Sequence, residues 1–269
     1  MSDNRFAYSL DQFREVIQDV MKQALKKGAS ACEADISEGY GQSVTVRCGE
    51  VETIEYNRDK GLGITVYIGQ QKGYASTSDL SPKALSDTVE AALSIARFTA
   101  ADDAAGLAEP ELLARKSEDL DLFHPWHISV EECAEIARVA EDAGFQLDKR
   151  IVNSEGASIS CQQSQFIAGN SAGFLDGFRS SRHYVSCALI AAEGEAMQRD
   201  DWYSSERSAS LLAQPQAIGR YAGERALSRL RSRKIATQDA RILFEAPVAS
   251  GLIGHFVSAA SGGNLYRQS

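Results

Sequence analysis

Residues 32–69 read CEADISEGYGQSVTVRCGEVETIEYNRDKGLGITVYIG, and the reading of this stretch decides the fold class. Val44 and Val46 alternate with polar neighbours, as do Ile64, Val66 and Ile68. A period of two puts such side chains on one face of a strand, the pattern of a half-buried sheet. Gly41, Gly49 and Gly61 stand where turns would separate successive strands, so the stretch predicts an antiparallel meander. Just upstream, Leu10, Phe13, Ile17, Val20, Met21, Ala24 and Leu25 recur at helical spacing, and Gly28 follows as a stop signal. Just downstream, a helix from Pro82 to about Phe98 starts behind Ser81, with proline in the first helical position.

The same order returns further along. Ser129 and Glu132 form a capping box for a helix that ends near Gly144. RIVNSEGASISCQQSQFIAGN, SRHYVSCALIAAEGE and MQRDDWYSS give a second β-rich stretch over about 150–205, and a helix over about 216–232 follows. The two halves share an order of elements but no identical repeat. Between them, residues 101–128 are acidic, lack periodicity and contain Pro110 and Pro125, which reads as a connecting segment laid over the first half. After them, ARILFEA is expected to form a short strand leading into a helix with Pro247 in its first turn.

The expected class is therefore α+β: helix–antiparallel meander–helix units, then the beginning of a further, mostly β domain. The expected division is 1–100, an acidic linker over 101–128, a central domain over 129–235, and the start of a C-terminal domain over 236–269. GGNLYRQS reads as the inside of a domain, so the chain is expected to be cut short.

Composition excludes several function classes. The 269 residues are 43% hydrophobic and 24% charged, a mix that excludes collagen, long coiled coil and wholesale disorder. The net charge of −9 argues against nucleic acid as a partner. Residues 101–150 alone hold 13 acidic and 5 basic side chains, a local net of −8. No apolar run reaches the roughly 18–20 residues of a membrane span, and Met1–Leu10 lacks the apolar core of a secretory signal. Cys32, Cys48, Cys133, Cys161 and Cys187 are odd in number and widely spaced, which reads as reduced thiols of a cytoplasmic protein. Arg220, Arg225, Arg229, Arg231, Arg233 and Lys234 cluster along the helix predicted over about 216–232 and its end, and read as a solvated face or a charged partner surface.

Three strings could carry chemistry. Gly61-Leu62-Gly63 begins a strand and lacks the third glycine before a helix that a dinucleotide loop needs. His124 and His127 lie three apart around Pro125, without a third zinc ligand, and read as loop histidines beside a packed Trp126. Gly169-Asn170-Ser171-Ala172-Gly173 fits G-x-S-x-G, with Asp200, Asp201 or Asp239 and then His255 in triad order. A strand rather than a helix comes after it, so a hairpin turn is the simpler account. An autonomous serine hydrolase using Ser171 stays as an alternative.

GLGITVYIGQQKGYASTSDLS (61–81), VNSEGASIS (152–160), NSAGF (170–174) and FEAPVASGLIGH (244–255) together resemble the TldD/PmbA family, and its PmbA (TldE) branch in particular. The resemblance implies one subunit of a two-subunit cytoplasmic zinc metallopeptidase whose chains are about 450 residues long. In TldD-type subunits an H-E-x-x-x-H motif holds the zinc. Laid on this chain, the first histidine falls on Phe244, the glutamate on Glu245 and the second histidine on Ala249. Neither phenyl nor methyl offers zinc a lone pair, and His255 lies beyond the motif. The resemblance thus implies a non-catalytic subunit with no metal and no catalytic residue of its own. It would pair with a zinc-bearing TldD-like subunit, or with itself, around an unfolded peptide. Helix 216–232 and segment 244–260 are the expected surfaces near that contact. A homo-oligomeric peptide-binding module is the remaining alternative, and exposed strand edges could take an extended peptide by strand addition.

Overall fold

In a computed structural model the described residues are 6–114 and 118–268. They fall into two compact units, divided between Arg231 and Ser232. The first unit runs α1 (Leu10–Lys26), β1 (Ala31–Arg47), β2 (Glu50–Ile68), β3 (Gln71–Thr77), α2 (Pro82–Phe98), α3 (Val130–Phe145), β4 (Ile151–Asn170), β5 (Leu175–Glu193), β6 (Ala196–Glu206) and α4 (Pro215–Ser228). All six strands make one antiparallel sheet in the order β3-β2-β1-β4-β5-β6. The order reads outward in both directions from the β1–β4 seam. The two helix–meander–helix halves are thus joined strand to strand.

The expected helices form where caps and periodicity placed them. Ser129 and Glu132 close the capping box of α3, and Ser81 accepts the Ala84 amide at the start of α2. The first meander differs in one respect. Turns were expected at Gly41, Gly49 and Gly61, yet only Gly49 turns the chain. Cys48 (φ 51°) and Gly49 (φ 81°) make the two-residue hairpin between β1 and β2. Two consecutive positive φ values are what a type I′ hairpin requires, and glycine adopts one freely. Gly41 stays in strand for a packing reason: a Cβ there would lie 2.5 Å from the Cys161 carbonyl oxygen and closer still to the Gln162 side chain. Residues 31–68 are therefore two long strands, not four short ones.

Side chains on one sheet face alternate into two separate apolar cores. Cys32, Ala34 and Ile36 of β1 join Leu62, Ile64, Val66 and Ile167 under α1 and α2. Val44 and Val46 join Ala157, Ile159, Cys161, Val185, Cys187 and Leu189 under α3 and α4. Burying each large aliphatic side chain contributes about 1.5–3 kcal/mol. Between the cores, on the same face, the alternating positions turn polar: Glu38, Gln163, Gln165, Ser181 and His183 are all buried. Buried polar groups are costly unless hydrogen-bonded. Here they bind the chain that crosses above them. Glu38 accepts the amides of Ala7 and Tyr8, and Gln165 donates to the Tyr8 carbonyl. Ser181 exchanges backbone and side-chain bonds with Leu122 and His124, and His183 Nε2 meets the His124 carbonyl at 2.8 Å. The end of the acidic segment, residues 121–128, is therefore a strap across the sheet; it was expected over the first half, but its bonds go mainly to β5 of the second half, with Gln42 of β1 reaching the Ile128 carbonyl.

The opposite face carries cross-strand hydroxyl pairs beside the aromatic pairs Phe166–Phe178 and Tyr184–Tyr203. Ser43 and Ser160, Thr45 and Ser158, and Ser164 and Ser180 bond across the strands at 2.8–3.2 Å.

In the second unit the chain forms α5 (Ala246–Ala259) and α6 (Gly262–Arg267). The strand expected over ARILFEA does not form: residues 239–245 have no regular structure, and residues 240–245 are exposed. A strand needs a neighbour to take its amides, and none pairs with this segment among the described residues. The described part of the unit is helical, where the opening of a mostly β domain was expected.

Candidate functional site

The residues singled out in FEAPVASGLIGH surround the first turn of α5. Glu245 is its N-cap residue, and its carbonyl oxygen accepts the amides of Val248 and Ala249 at 2.9 and 2.8 Å. Pro247 sits in the first turn, as expected, where its missing N–H costs nothing. Phe244 and Ala249 thereby occupy the positions just before the cap and one turn inside, which lie next to each other at a helix start. Histidines at those two places would converge on one point. The phenyl and methyl groups that stand there offer no lone pair, so the residues present do not fit a zinc site. Among the described residues no three His, Cys, Asp or Glu side chains gather closely enough to hold a metal ion. His255 lies in the third turn of α5, exposed.

The helix itself is unusual. Val248, Leu252, Ile253, Phe256 and Val257 are between 51% and 71% exposed, and no residue of α5 is buried. A helix apolar all round belongs inside something larger.

Ser171 lies in the unit built on the sheet, in the turn between β4 and β5, which is the hairpin expected for it. Its hydroxyl accepts the Cys32 amide at 3.0 Å, and its own amide donates to the Cys32 carbonyl at 2.8 Å. The serine ties the hairpin to the start of β1. Asp200 is likewise occupied. It is nearly buried, accepts a hydrogen bond from Arg229, and has Arg225 Nε at 3.4 Å. Burial pushes its carboxyl up, but the Arg229 hydrogen bond, the Asp201 amide and the two guanidinium charges outweigh that and leave it below its usual value. The guanidinium of Arg225 also lies 5.1 Å from the Trp202 ring centre. Part of the arginine cluster therefore closes α4 onto β6 rather than facing solvent.

His124 Nε2 donates to the Asp121 carbonyl (2.9 Å) within the strap, and Trp126 packs edge-on against His183, their ring centres 5.5 Å apart. Trp126 is packed, as expected, but its ring partner is His183 of β5; the loop residue His127 is exposed. Burial lowers the His183 pKa against the pull of the His124 carbonyl, which keeps the ring neutral. Beside the strap a hollow of about 240 Å³ opens between Trp126, Ile128, Tyr40, Gln42, Tyr56 and Arg58.

Sequence reading did not single out Glu38, Glu141, Gln165 or His183, although each is almost fully buried. A signal was present in the strands. Glu38 stands in phase with Ile36 and Val44, and His183 in phase with Val185 and Cys187, so the period of two sends both inward.

Two family models match the chain: PmbA/TldA metallopeptidase domain 1 over residues 32–96, and the PmbA/TldA metallopeptidase central domain over 123–230. The chain is 45% identical to Metalloprotease PmbA of Escherichia coli O157:H7 over 259 residues, which is 95% of this chain and 58% of that protein. It is 42% identical over 258 residues to the Metalloprotease PmbA homolog of Haemophilus influenzae, 96% of this chain and 57% of that one. The chain thus spans somewhat under three fifths of the curated relatives it matches. A Bacteroides thetaiotaomicron protein proposed as a modulator of DNA gyrase shares the fold with a TM-score of 0.87 at 23% identity, over 96% of this chain and 59% of that one. TldE of Thermococcus kodakarensis shares it with a TM-score of 0.67 at 14% identity, over 79% and 47% of the two chains. With both domain models matched in order and strong identity across nearly its whole length, this chain belongs to the PmbA/TldD family, on its PmbA branch.

Proposed function

We propose that this chain is the PmbA-type, non-catalytic subunit of a cytoplasmic zinc peptidase. It pairs with a TldD-like subunit, and flexible peptides are cut at the partner's zinc. The observation that carries this reading is the filling of the two ligand positions by Phe244 and Ala249 while Glu245 remains. A glutamate without a metal-polarised water beside it has no activated nucleophile to generate. The sheet unit then serves as scaffold, since two helix pairs and a strap on one face back the long strands, which suits the wall of a chamber. The exposed apolar surface of α5 supports a place within a larger body.

The test is peptidase activity on an unfolded peptide, with zinc measured in the same samples. This chain alone, a TldD-type protein alone and their mixture are compared, each also as the full-length form its relatives have. Cleavage by the mixture only, with zinc in the partner, supports the reading. Cleavage or stoichiometric zinc in this protein alone overturns it.

A further inference from the structure

α3 and β4 bring two cysteines together inside the core under α3 and α4. Cys133 closes the first turn of α3, and Cys161 holds an inward position of β4. Both are almost wholly buried. Gln42 of β1 fixes where they meet. It is the register partner of Cys161, and its side-chain amide donates to the Cys133 sulfur at 3.6 Å. The same amide donates to the Ile128 carbonyl at 2.8 Å, so one side chain holds both the end of the strap and a thiol. Cys161 in turn donates its thiol hydrogen to Cys133.

Cys32 and Cys187 give the contrast. Burial pushes their thiols up, to about 11 and about 12, and Cys32 points its hydrogen at the Met21 carbonyl. At Cys133 the hydrogen bond from Cys161 outweighs burial and Gln42 adds to it, so this thiol lies below its ordinary value. Cys161, the donor, is pushed up. One sulfur is thus the readier thiolate, and the other stands against it with a proton to give. The pair is also reached from outside the core. Cys161 and Gln42 line the hollow of about 240 Å³ beside Trp126 and Ile128, ample room for a molecule the size of hydrogen peroxide.

We propose that Cys133 and Cys161 are an oxidation site, which a hydroperoxide entering the hollow converts from a dithiol to a disulfide. One sulfur attacks a peroxide oxygen, the O–O bond breaks, and a sulfenic acid and a first water result, the water taking the thiol proton. The other sulfur attacks the sulfenic sulfur, the S–S bond forms, the S–O bond breaks, and a second water leaves with the second thiol proton. Both sulfurs are oxidised and both peroxide oxygens reduced. The link ties α3 to β4 and takes from Gln42 its sulfur acceptor beside the strap. This rests on the core of the sheet unit and not on the subunit reading above.

In the test Cys48, the exposed thiol, is first replaced by serine to prevent links between molecules. The folded chain, and the longer form its relatives have, are treated with hydrogen peroxide. Remaining thiols are then blocked in denaturant and the digested peptides weighed. A Cys133 peptide joined to a Cys161 peptide is expected in both forms, with the intact mass of this chain lower by two hydrogens. Dithiothreitol is expected to reverse it, and Cys32 and Cys187 to stay thiols. Cys133→Ser and Cys161→Ser are each expected to abolish the link. The peptides of the parent chain carry the result whether or not those variants fold. Free thiols at both positions, under peroxide that fully oxidises Cys48 where it is retained, overturn the proposal. So does oxidation to sulfinic acid without a link, a link absent from the longer form, or equal loss of the Cys32 and Cys187 thiols, which would mean that the chain had opened.

Discussion

Glu141 and Gly49, ninety-two residues apart in the chain, are joined by a 2.8 Å hydrogen bond from the Gly49 amide to a wholly buried carboxylate. The other carboxylate oxygen accepts the Cys48 amide at 2.9 Å, and Arg138 donates to the Gly49 carbonyl. Helix α3 of the second half thus grips the hairpin turn of the first. Glu141→Ala strands two amides beneath α3 and is expected to cost about 2–4 kcal/mol in urea unfolding. Glu141→Gln, which keeps one acceptor, is expected to cost less than the alanine variant.

α3 and α4 touch at Gly219. A Cβ on that residue would lie 1.7 Å from the Ala140 carbonyl oxygen, which is backbone and has nowhere to go. Gly219→Ala gains helix propensity yet forces the helices apart. A net loss of about 1–3 kcal/mol and a lowered Tm are expected by thermal melting.

Ser171 acts as an acceptor for the Cys32 amide. Ser171→Ala is expected to lower stability by about 1 kcal/mol and to leave any peptidase activity of the assembled enzyme unchanged. A fluorophosphonate probe is expected not to label the chain. Labelling that vanishes in the alanine variant would instead establish the serine hydrolase reading.

Asp200 gives the fold a dependence on acid. Its carboxyl lies below the ordinary 3.8 in the folded chain, so below about pH 4 the unfolded chain binds a proton that the folded chain resists. The stabilisation is complete above that ordinary value and is lost as pH falls through the lower, folded one. Asp200→Asn is expected to flatten the acid limb of a stability–pH profile while lowering stability at neutral pH.

The motif positions on α5 are expected to be silent in catalysis. Glu245→Gln and His255→Ala should leave kcat/KM of the mixed enzyme within a factor of two, about 0.4 kcal/mol in transition-state free energy. A drop of a hundredfold in either would mean that the residue reaches the partner's reacting centre.

Local signals made much of this legible. Caps, period and proline placed all four helices of the sheet unit and the start of α5, because each depends on residues a few positions apart. The G-x-S-x-G string resolved correctly into a hairpin because the residues after it alternate as a strand. The misreadings arose where a distant partner decides. Gly41 looked like a turn because the strand that crowds it, β4, lies 120 residues on. ARILFEA looked like a strand on propensity alone, but a strand exists only beside another. The buried carboxylates escaped notice since their partners are backbone amides, which a sequence does not display. At Phe244 and Ala249 the decisive information was the absence of histidine, visible only once the family pattern was laid over the chain.

The seam between the halves also dictates when the molecule can be assembled. Its pairs run from Val46 with Ala157 to Glu33 with Asn170, separations of 111 to 137 residues. Contacts so remote in sequence form slowly, whereas the β1–β2 and β4–β5 hairpins close locally. On the ribosome, β1 must wait with one side uncovered until β4 has emerged. Until then that side of β1 is an unpaired edge, and the segment made in the interval begins with the acidic, self-repelling stretch.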